Sequence, residues 1–368
     1  MCPLSFSLAT ETDDAELRAR MAEDWLPGNI TVSFRREPSF FHGSSVQGES
    51  AQIIKCIDTA TNRLVGLGSR FVNEVYINGK ARRIGYLADL RAHTEFRGKS
   101  GLARGYRYLR QLHVEDPVPF YYSMILEDNR VARDVLTTAR CGLPYYRDRG
   151  RFLTPAVYLD LPKRPINING VTFRRGCKDD LVNIFSFIEE HAKQKQMAPV
   201  IELKDFKTTR LRDLNAEDFY LALDAKGLVG VIAAWDQSRF RQTYVERYNT
   251  ILSIIRPAYN IFSIFTTLKP LPVPGSKVPY FYLAFVTIRD NDLNVFRGLL
   301  RYLYNDRRTG PWNYFIAGLH ESDPLNQVLN EYRRIEVAGR LFIVHYSENQ
   351  EDYDQLDDRI PYVEIAMI

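Results

Sequence analysis

Cysteine is scarce in this chain: its four residues, Cys2, Cys56, Cys141 and Cys177, lie far apart and form no CxxC pair. The six histidines show no ligand spacing either. A disulfide scaffold and a structural metal are therefore not expected, and a reduced, cytoplasmic protein is the simplest reading. An excess of charge of one sign is also missing. The 49 basic residues against 45 acidic ones leave a net charge of +4, mixed along the chain, so nothing marks a nucleic-acid binder, while acidic small ligands stay open. No apolar run approaches the length needed to span a bilayer. Residues 1–17 lack a basic leader and turn acidic at Glu11, Asp13, Asp14 and Glu16. Neither export by a standard signal nor a membrane partner is expected. What the chain has is core-forming material, 45% hydrophobic and 12% aromatic residues over 368 positions, more than one core normally absorbs. Two domains are expected.

The most informative stretch is residues 85–114. Tyr86 to Ala92 reads as a strand, a polar turn with Gly98 and Gly101 follows, and a helix carries Leu102, Tyr106, Leu109, Leu112 and His113 on one face. Arg104, Arg107 and Arg110 lie off that face. The first turn of such a helix presents unpaired N–H groups and a positive dipole end, behind glycines and beside Arg97 and Lys99, which suits a phosphate group. Gly98-Lys99-Ser100 has the tail of a P-loop, but His93 stands where its leading glycine belongs, and no G-x-G-x-x-G is present.

The strand, loop and helix together resemble the acetyl-CoA signature of the GNAT acyltransferase superfamily, [QR]-x-x-G-x-[GA] opening a helix. Arg97-Gly98-Lys99-Ser100-Gly101-Leu102-Ala103 matches it with one extra residue. The order of elements agrees with the resemblance. Ser5 to Ala9 is a strand and Thr12 to Met21 a helix with Thr12 as N-cap. Ile53 to Asp58, Leu64 to Tyr76 and Arg82 to Ala92 form an antiparallel run, with an Asn78-Gly79 type I′ turn. Phe120 to Leu126 is a strand parallel to the anchor strand, Arg130 to Arg140 a helix with Gly142 beyond its end, and Tyr145 to Leu159 the closing strands. Between the first helix and the antiparallel run, Trp25 to Gly48 mixes aromatics with arginines. It either lines a substrate or adenine pocket or seals a sheet edge.

After a Leu161-Pro162-Lys163-Arg164-Pro165 linker the order repeats. Val171 to Arg174 is a strand, Asp179 to Lys193 a helix, Phe219 to Leu223 and Gly227 to Trp235 a hairpin, and Arg256 to Leu268 an added helix. Val278 to Ile288 is a strand, Leu293 to Asn305 a helix, and Tyr314 to Gly318 and Arg340 to Val344 are further strands. The expected fold class is α+β / α/β, two tandem GNAT-like (acyl-CoA N-acyltransferase) domains at 1–161 and 166–368. Each would hold a mixed central sheet flanked by helices, and the pair would stand in for a homodimer. The second copy is degenerate, since Arg289-Asp290-Asn291-Asp292-Leu293 puts carboxylates where pyrophosphate would sit, and Asp290 or Asp292 can cap the helix instead. CoA is thus expected in the first domain alone.

The resemblance implies an N-acetyltransferase that moves an acetyl group from acetyl-CoA to an amine of a small molecule or peptide by direct attack, without a metal. Leu90, Arg91 and Ala92 would hold the pantetheine arm, with an N–H near Leu90 facing the thioester oxygen. Arg97, Gly98, Lys99, Ser100, Gly101, Leu102 and Ala103 would take the pyrophosphate, and Asn129 would bond the arm. Asp89 falls where the family often places an acid. It is either a general base whose pKa burial raises, or half of a salt bridge with Arg91 or Arg70. The tyrosine usual as general acid is replaced by Thr138, which leaves Tyr145, Tyr146, Tyr121 or Tyr122 as candidates, Tyr145 and Tyr122 foremost. Two other readings remain: a transferase with a larger acyl or aminoacyl donor, and a non-catalytic acyl-CoA sensor.

Overall fold

A computed structural model describes residues 4–97, 100–138 and 142–368. The first half opens with β1 (Leu4–Leu8) and α1 (Asp14–Ala22). The expected cap at Thr12 is not used: Thr10 accepts the capping role, its N–H meeting Asp13 Oδ2 at 2.8 Å, and a 3-10 turn precedes α1. Next come β2 (Ile30–Arg35) and α2 (Phe40–Ser44). The antiparallel run is β3 (Ser50–Asp58), β4 (Arg63–Ile77) and β5 (Lys80–Ala92). Asn78 and Gly79 both take positive φ, 51° and 78°, so the β4–β5 turn has the twist that hairpins favour. Then follow α3 (Gly101–Glu115), β6 (Tyr121–Leu126), α4 (Arg130–Leu136), β7 (Tyr145–Leu153) and β8 (Ala156–Tyr158).

The second half runs β9 (Thr172–Arg175), α5 (Leu181–Ala192), β10 (Ala198–Pro199), β11 (Phe219–Asp224), β12 (Gly227–Trp235), β13 (Gln242–Tyr248) and α6 (Thr250–Ile264). It ends with β14 (Tyr280–Ile288), α7 (Leu293–Arg307), β15 (Tyr314–Ile316), β16 (Leu319–His320), β17 (Arg334–Ile335) and β18 (Ala338–His345). Helix α6 starts six residues earlier than the sequence reading placed it. Asn249 caps it through Leu252 N–H at 2.9 Å, and Pro257 lies inside without ending it.

Two large mixed sheets result, in the orders β1-β3-β4-β5-β6-β18-β7-β16 and β17-β8-β15-β14-β12-β11-β9. Each borrows from the other half, the first sheet taking β10 (on β4), β16 and β18, the second β8. β18, expected among the strands of the second copy, pairs antiparallel with both β6 and β7 in the first sheet. β8, expected to close the first copy, lies between β15 and β17 in the second. The alternation of apolar residues in these strands is satisfied by any sheet of the right register, so the sequence reads their type and not their address. β2 and β13 form a separate ribbon that ties the halves again. One face of the first sheet packs on Tyr106, Leu109 and Leu112 of α3. The other covers Tyr86, Tyr122, Leu341 and Ile343. The second sheet is sandwiched between Phe296, Leu299 and Leu303 of α7 and Ile184, Phe185 and Ile188 of α5.

Candidate functional site

β5 and β6 are hydrogen-bond partners over a short distance only. Their parallel register holds Gly85 against Tyr121 and Tyr86 against Tyr122. The contact is close enough that a Cβ on Gly85 would stand 1.9 Å from the Tyr121 ring. Beyond it the Ser123 hydroxyl donates to the Leu87 carbonyl at 3.0 Å and the strands separate. On the other side, the β4 ladder pairs Ser69 with Ala88 and Leu67 with Arg91, which leaves Asp89 and Leu90 opposite Gly68 alone. That is a β-bulge, with Asp89 at φ 56°. Leu90 is half exposed as a result, and Leu90 to Ala92 present a strand edge to the opening.

The opening leads to the N-terminus of α3. Ser100 is its N-cap residue, but the Ser100 side chain accepts no bond from the first turn, so among the described residues no side chain caps the N–H groups at Gly101, Leu102 and Ala103. Gly98 and Lys99 lie outside the described residues. Arg97 is folded back: its Nε donates to the Ala92 carbonyl at 2.9 Å, and its guanidinium lies 3.3 Å from Asp24. Asp24 also pairs with Arg20 at 2.6 Å and Arg91 at 3.6 Å, so one carboxylate holds the basic side of the loop.

Asp89 is neither titrated upward by burial nor joined to Arg91 or Arg70 by an ion pair. Both of its oxygens accept from one Nη of Arg36 at 2.9 Å, and Ser69 Oγ donates at 3.0 Å. Burial pushes the carboxyl up. The Arg36 charge, with lesser help from Arg91, Ser69 and Arg241, overrides it and holds Asp89 below the usual carboxylate range. Arg36 is itself buried, bonded to Ser44 at 2.7 Å and Gln47 at 2.6 Å, and lies over the Phe40 ring. Arg241 adds a further positive charge. It donates to the Ala366 carbonyl at 2.9 Å and to the Ile368 carbonyl. Sequence reasoning missed both arginines. The only signal was the aromatic-and-arginine mixture of residues 34–41, which holds Arg36.

The other sequence candidates are dispersed. Tyr122 is buried, stacked on Tyr86 with centroids 4.6 Å apart, and burial drives its pKa far up. It lies at the closed end of the opening, on the sheet face that Asp89 and Arg36 share with Tyr86. Tyr145 is not brought to it. Because β18 separates β7 from β6, Tyr145 pairs with His345, one step outside the Val344–Tyr121 pair. That is the far end of β6, where Tyr145 stacks on His345. Tyr121 and Tyr146 face α3, bonded to His113 at 2.8 Å and Tyr106 at 2.5 Å. Asn129 Oδ1 caps α4 by accepting from Ala132 N–H at 3.2 Å. Thr138 bonds the Val135 carbonyl. Among the described residues, no cluster of three or more His, Cys, Asp or Glu side chains could hold a metal ion.

The same unit recurs in the second half, with its N–H groups bonded from within the chain. β14 pairs with β15 only from Tyr280 to Tyr282, and its ladder to β12 sets Phe285 and Val286 against Ile232, with Phe285 at φ 52°. Here the bulge N–H groups are occupied: Phe285 donates to Glu364 Oε2 at 2.7 Å and Val286 to the Tyr362 hydroxyl at 3.2 Å. The Tyr362 hydroxyl in turn donates to Glu364 at 2.6 Å. Burial raises the Glu364 carboxyl, against the bonds that Tyr362, Phe285 and Ala366 make to it. At the helix, Asp292 accepts from Asn294 and Val295 at 2.7 and 3.2 Å and takes the place an anion would fill.

Two bulged, parting strands, each followed by a helix, define a GNAT-like acyl-CoA N-acyltransferase fold in a two-domain architecture. No family model matches the sequence, and no curated protein matches it. In structure the chain is similar to Saccharomyces cerevisiae N-myristoyltransferase with bound myristoyl-CoA. The TM-score is 0.61 at 9% identity, over 94% of this chain and 80% of that one. It is also similar to the GCN5-related glucosamine N-acetyltransferase region of a fungal multi-domain β-N-acetylglucosaminidase, with TM-score 0.61 and 12% identity over 92% of this chain and 38% of that one. A probable N-acyltransferase from Enterococcus faecalis gives a TM-score of 0.52 at 10% identity over 94% and 74%.

Proposed function

We propose that this protein is an N-acyltransferase that takes its acyl group from a CoA thioester held by the first sheet and passes it to an amine. The observation that carries this is the asymmetry between the two bulges. At the β5–β6 opening no bond to the bulge N–H groups is found among the described residues and the Ser100 side chain does not cap α3, whereas Glu364, Tyr362 and Asp292 bond the equivalent N–H groups in the second half. Pantetheine amides would bond the strand edge at Leu90 to Ala92, with Arg97 giving up the Ala92 carbonyl it now holds, and the pyrophosphate would meet the first turn of α3, with Ser100, Gly101, Leu102 and Ala103 supplying backbone. A bulge N–H beside Leu90 would stabilise the thioester oxygen as charge develops on it.

The acceptor must arrive as a neutral amine. Asp89, already ionised and engaged by Arg36, is a weak base for that purpose, and we assign it the role of a positioning residue that fixes the bulge. With Arg36 matched by Asp89, the nearby positive charge of Arg241 would favour the unprotonated amine and an oxyanion, since like charge disfavours an ammonium. We propose acetyl-CoA as the donor and a small-molecule or peptide amine as the acceptor. Supporting the short donor, the rings of Phe71, Tyr86 and Tyr122 stack at 5.8 and 4.6 Å and occupy the space behind the parting strands. The test is free-thiol release from acetyl-CoA and from longer acyl-CoAs against pooled amines, amino acids and peptides. Amine-dependent release, fastest with acetyl-CoA and lost in Gly101→Glu, is expected. Preference for a long chain would overturn the acetyl assignment, and tight CoA binding without release on any amine would replace the enzyme with a sensor.

A further inference from the structure

Helix α6 turns its apolar side away from the protein. Its inward stripe is Leu252, Arg256, Tyr259 and Ser263, mostly polar, while Ile251, Ile254, Ile255, Ile261, Phe262 and Phe265 are half to four-fifths exposed, Phe265 reaching 81%. A helix that seeks a core does the reverse. The chain returning from α6 extends the patch with Val273 and is pinned to it. Asn260 and Leu271 exchange two bonds at 3.0 and 2.8 Å, and the Tyr248 hydroxyl donates to the Pro272 carbonyl at 2.8 Å. The patch is thus a fixed platform, and contiguous exposed apolar area of this kind marks a docking surface.

Charge identifies what docks. Residues 247–277 contain Arg247, Arg256, Lys269 and Lys277 and no aspartate or glutamate. The four cations have neutral neighbours: Arg247 the Thr31 hydroxyl at 3.4 Å, Lys269 the Gly310 carbonyl at 2.9 Å, Lys277 the Ser238 carbonyl at 3.4 Å, and Arg256 the Tyr248 ring. Trp25, 49% exposed, stands at the base of the platform with the Arg247 guanidinium 5.9 Å from its ring. Apolar side chains flanked by unneutralised cations and an exposed tryptophan match the boundary between acyl chains and anionic headgroups. Two copies of this face brought together would oppose like charges with nothing to offset them. We propose that α6 is a membrane-docking helix that lies on an anionic lipid bilayer without crossing it. No helix among the described residues is long and apolar enough to span one. The sequence-based expectation of no membrane contact rested on that same lack, but lying on a surface requires only a face. This inference is independent of the transferase reading.

Flotation of the full chain with phosphatidylcholine vesicles carrying about 30 mol% phosphatidylserine tests it. Binding is expected to the anionic vesicles, to weaken with salt, and to fall by roughly a hundredfold or more in Ile254→Ser/Ile261→Ser/Phe265→Ser, with the melting temperature kept. Arg247→Gln/Lys277→Gln, which leaves the apolar face intact, should lose roughly tenfold on anionic vesicles alone. Equal flotation of parent and triple variant would overturn the proposal. So would a parent that ignores vesicles but sediments as a dimer that the triple variant abolishes, which would give the face to a second copy.

Discussion

Asp89 joins two unusual demands in one residue, a left-handed backbone at φ 56° and a buried charge. Aspartate tolerates that backbone better than most residues, and Arg36 supplies the charge partner. Asp89→Asn should therefore destabilise the protein by about 3–5 kcal/mol, the usual cost of stranding one half of a buried pair. The sign of its pH dependence follows from the lowered carboxyl: its contribution is complete above the unfolded carboxylate pKa and is lost as pH falls through the lower folded value. Chemical unfolding of Asp89→Asn should show the loss at neutral pH, and a variant as stable as the parent would contradict the pairing. His113 acts earlier on the acid side. Buried beside Arg110 and Arg70, it is pushed down to about 4, so acidification protonates the unfolded chain first. Stability should fall as pH drops from about 6.5 toward 4, and His113→Gln should flatten that part of the melting-temperature profile. Asp89 stood out in the sequence because the family resemblance places an acid there. Its partner did not, because Arg36 lies 53 positions away in a stretch of irregular pattern and nothing local links the two.

At the scale of elements, the opening exists because β5 and β6 touch at only two residue pairs, and Gly85 makes that touch possible. Gly85→Ala should cost about 3 kcal/mol, at the upper end for overpacking, because the Tyr121 ring it would strike is held by Arg70 at 3.0 Å and His113 at 2.8 Å. A melt of Gly85→Ala within a few tenths of the parent would show that the ring can move. Most elements were legible in the sequence because their signals are local. The 3.6 periodicity gave α3 and α7, Asn78-Gly79 gave the β4–β5 turn, and of the two cap candidates Asp290 and Asp292 the structure uses Asp292. The bulges at Asp89 and Phe285 were not legible, since a bulge is a relation between two strands and leaves no mark in one.

At the scale of the molecule, the halves exchange strands. β18 fills the gap between β6 and β7, and β8 does the same service between β15 and β17. Residues 1–161 alone would lack β18 and leave two long edges unpaired in the middle of a sheet. Expressed separately, that piece should be insoluble or melt without cooperativity, while the full chain unfolds in one transition. A soluble, cooperatively melting 1–161 would show that the exchange is dispensable. The sequence order of elements pointed to two copies but could not reveal the exchange, because pairing between distant strands depends on register and burial that both sheets satisfy equally well.

The central claim is that one of two similar strand–bulge–helix units holds an acyl-CoA, while the N–H groups of the other are taken by the chain's own Glu364, Tyr362 and Asp292. Calorimetric titration with CoA measures this directly. One site per chain is predicted, abolished by Gly101→Glu, which puts a side chain and a negative charge at the first turn of α3, and unchanged by Asp292→Gly in the second unit. Two equivalent sites, or a single site that survives Gly101→Glu and is lost in Asp292→Gly, would contradict the account.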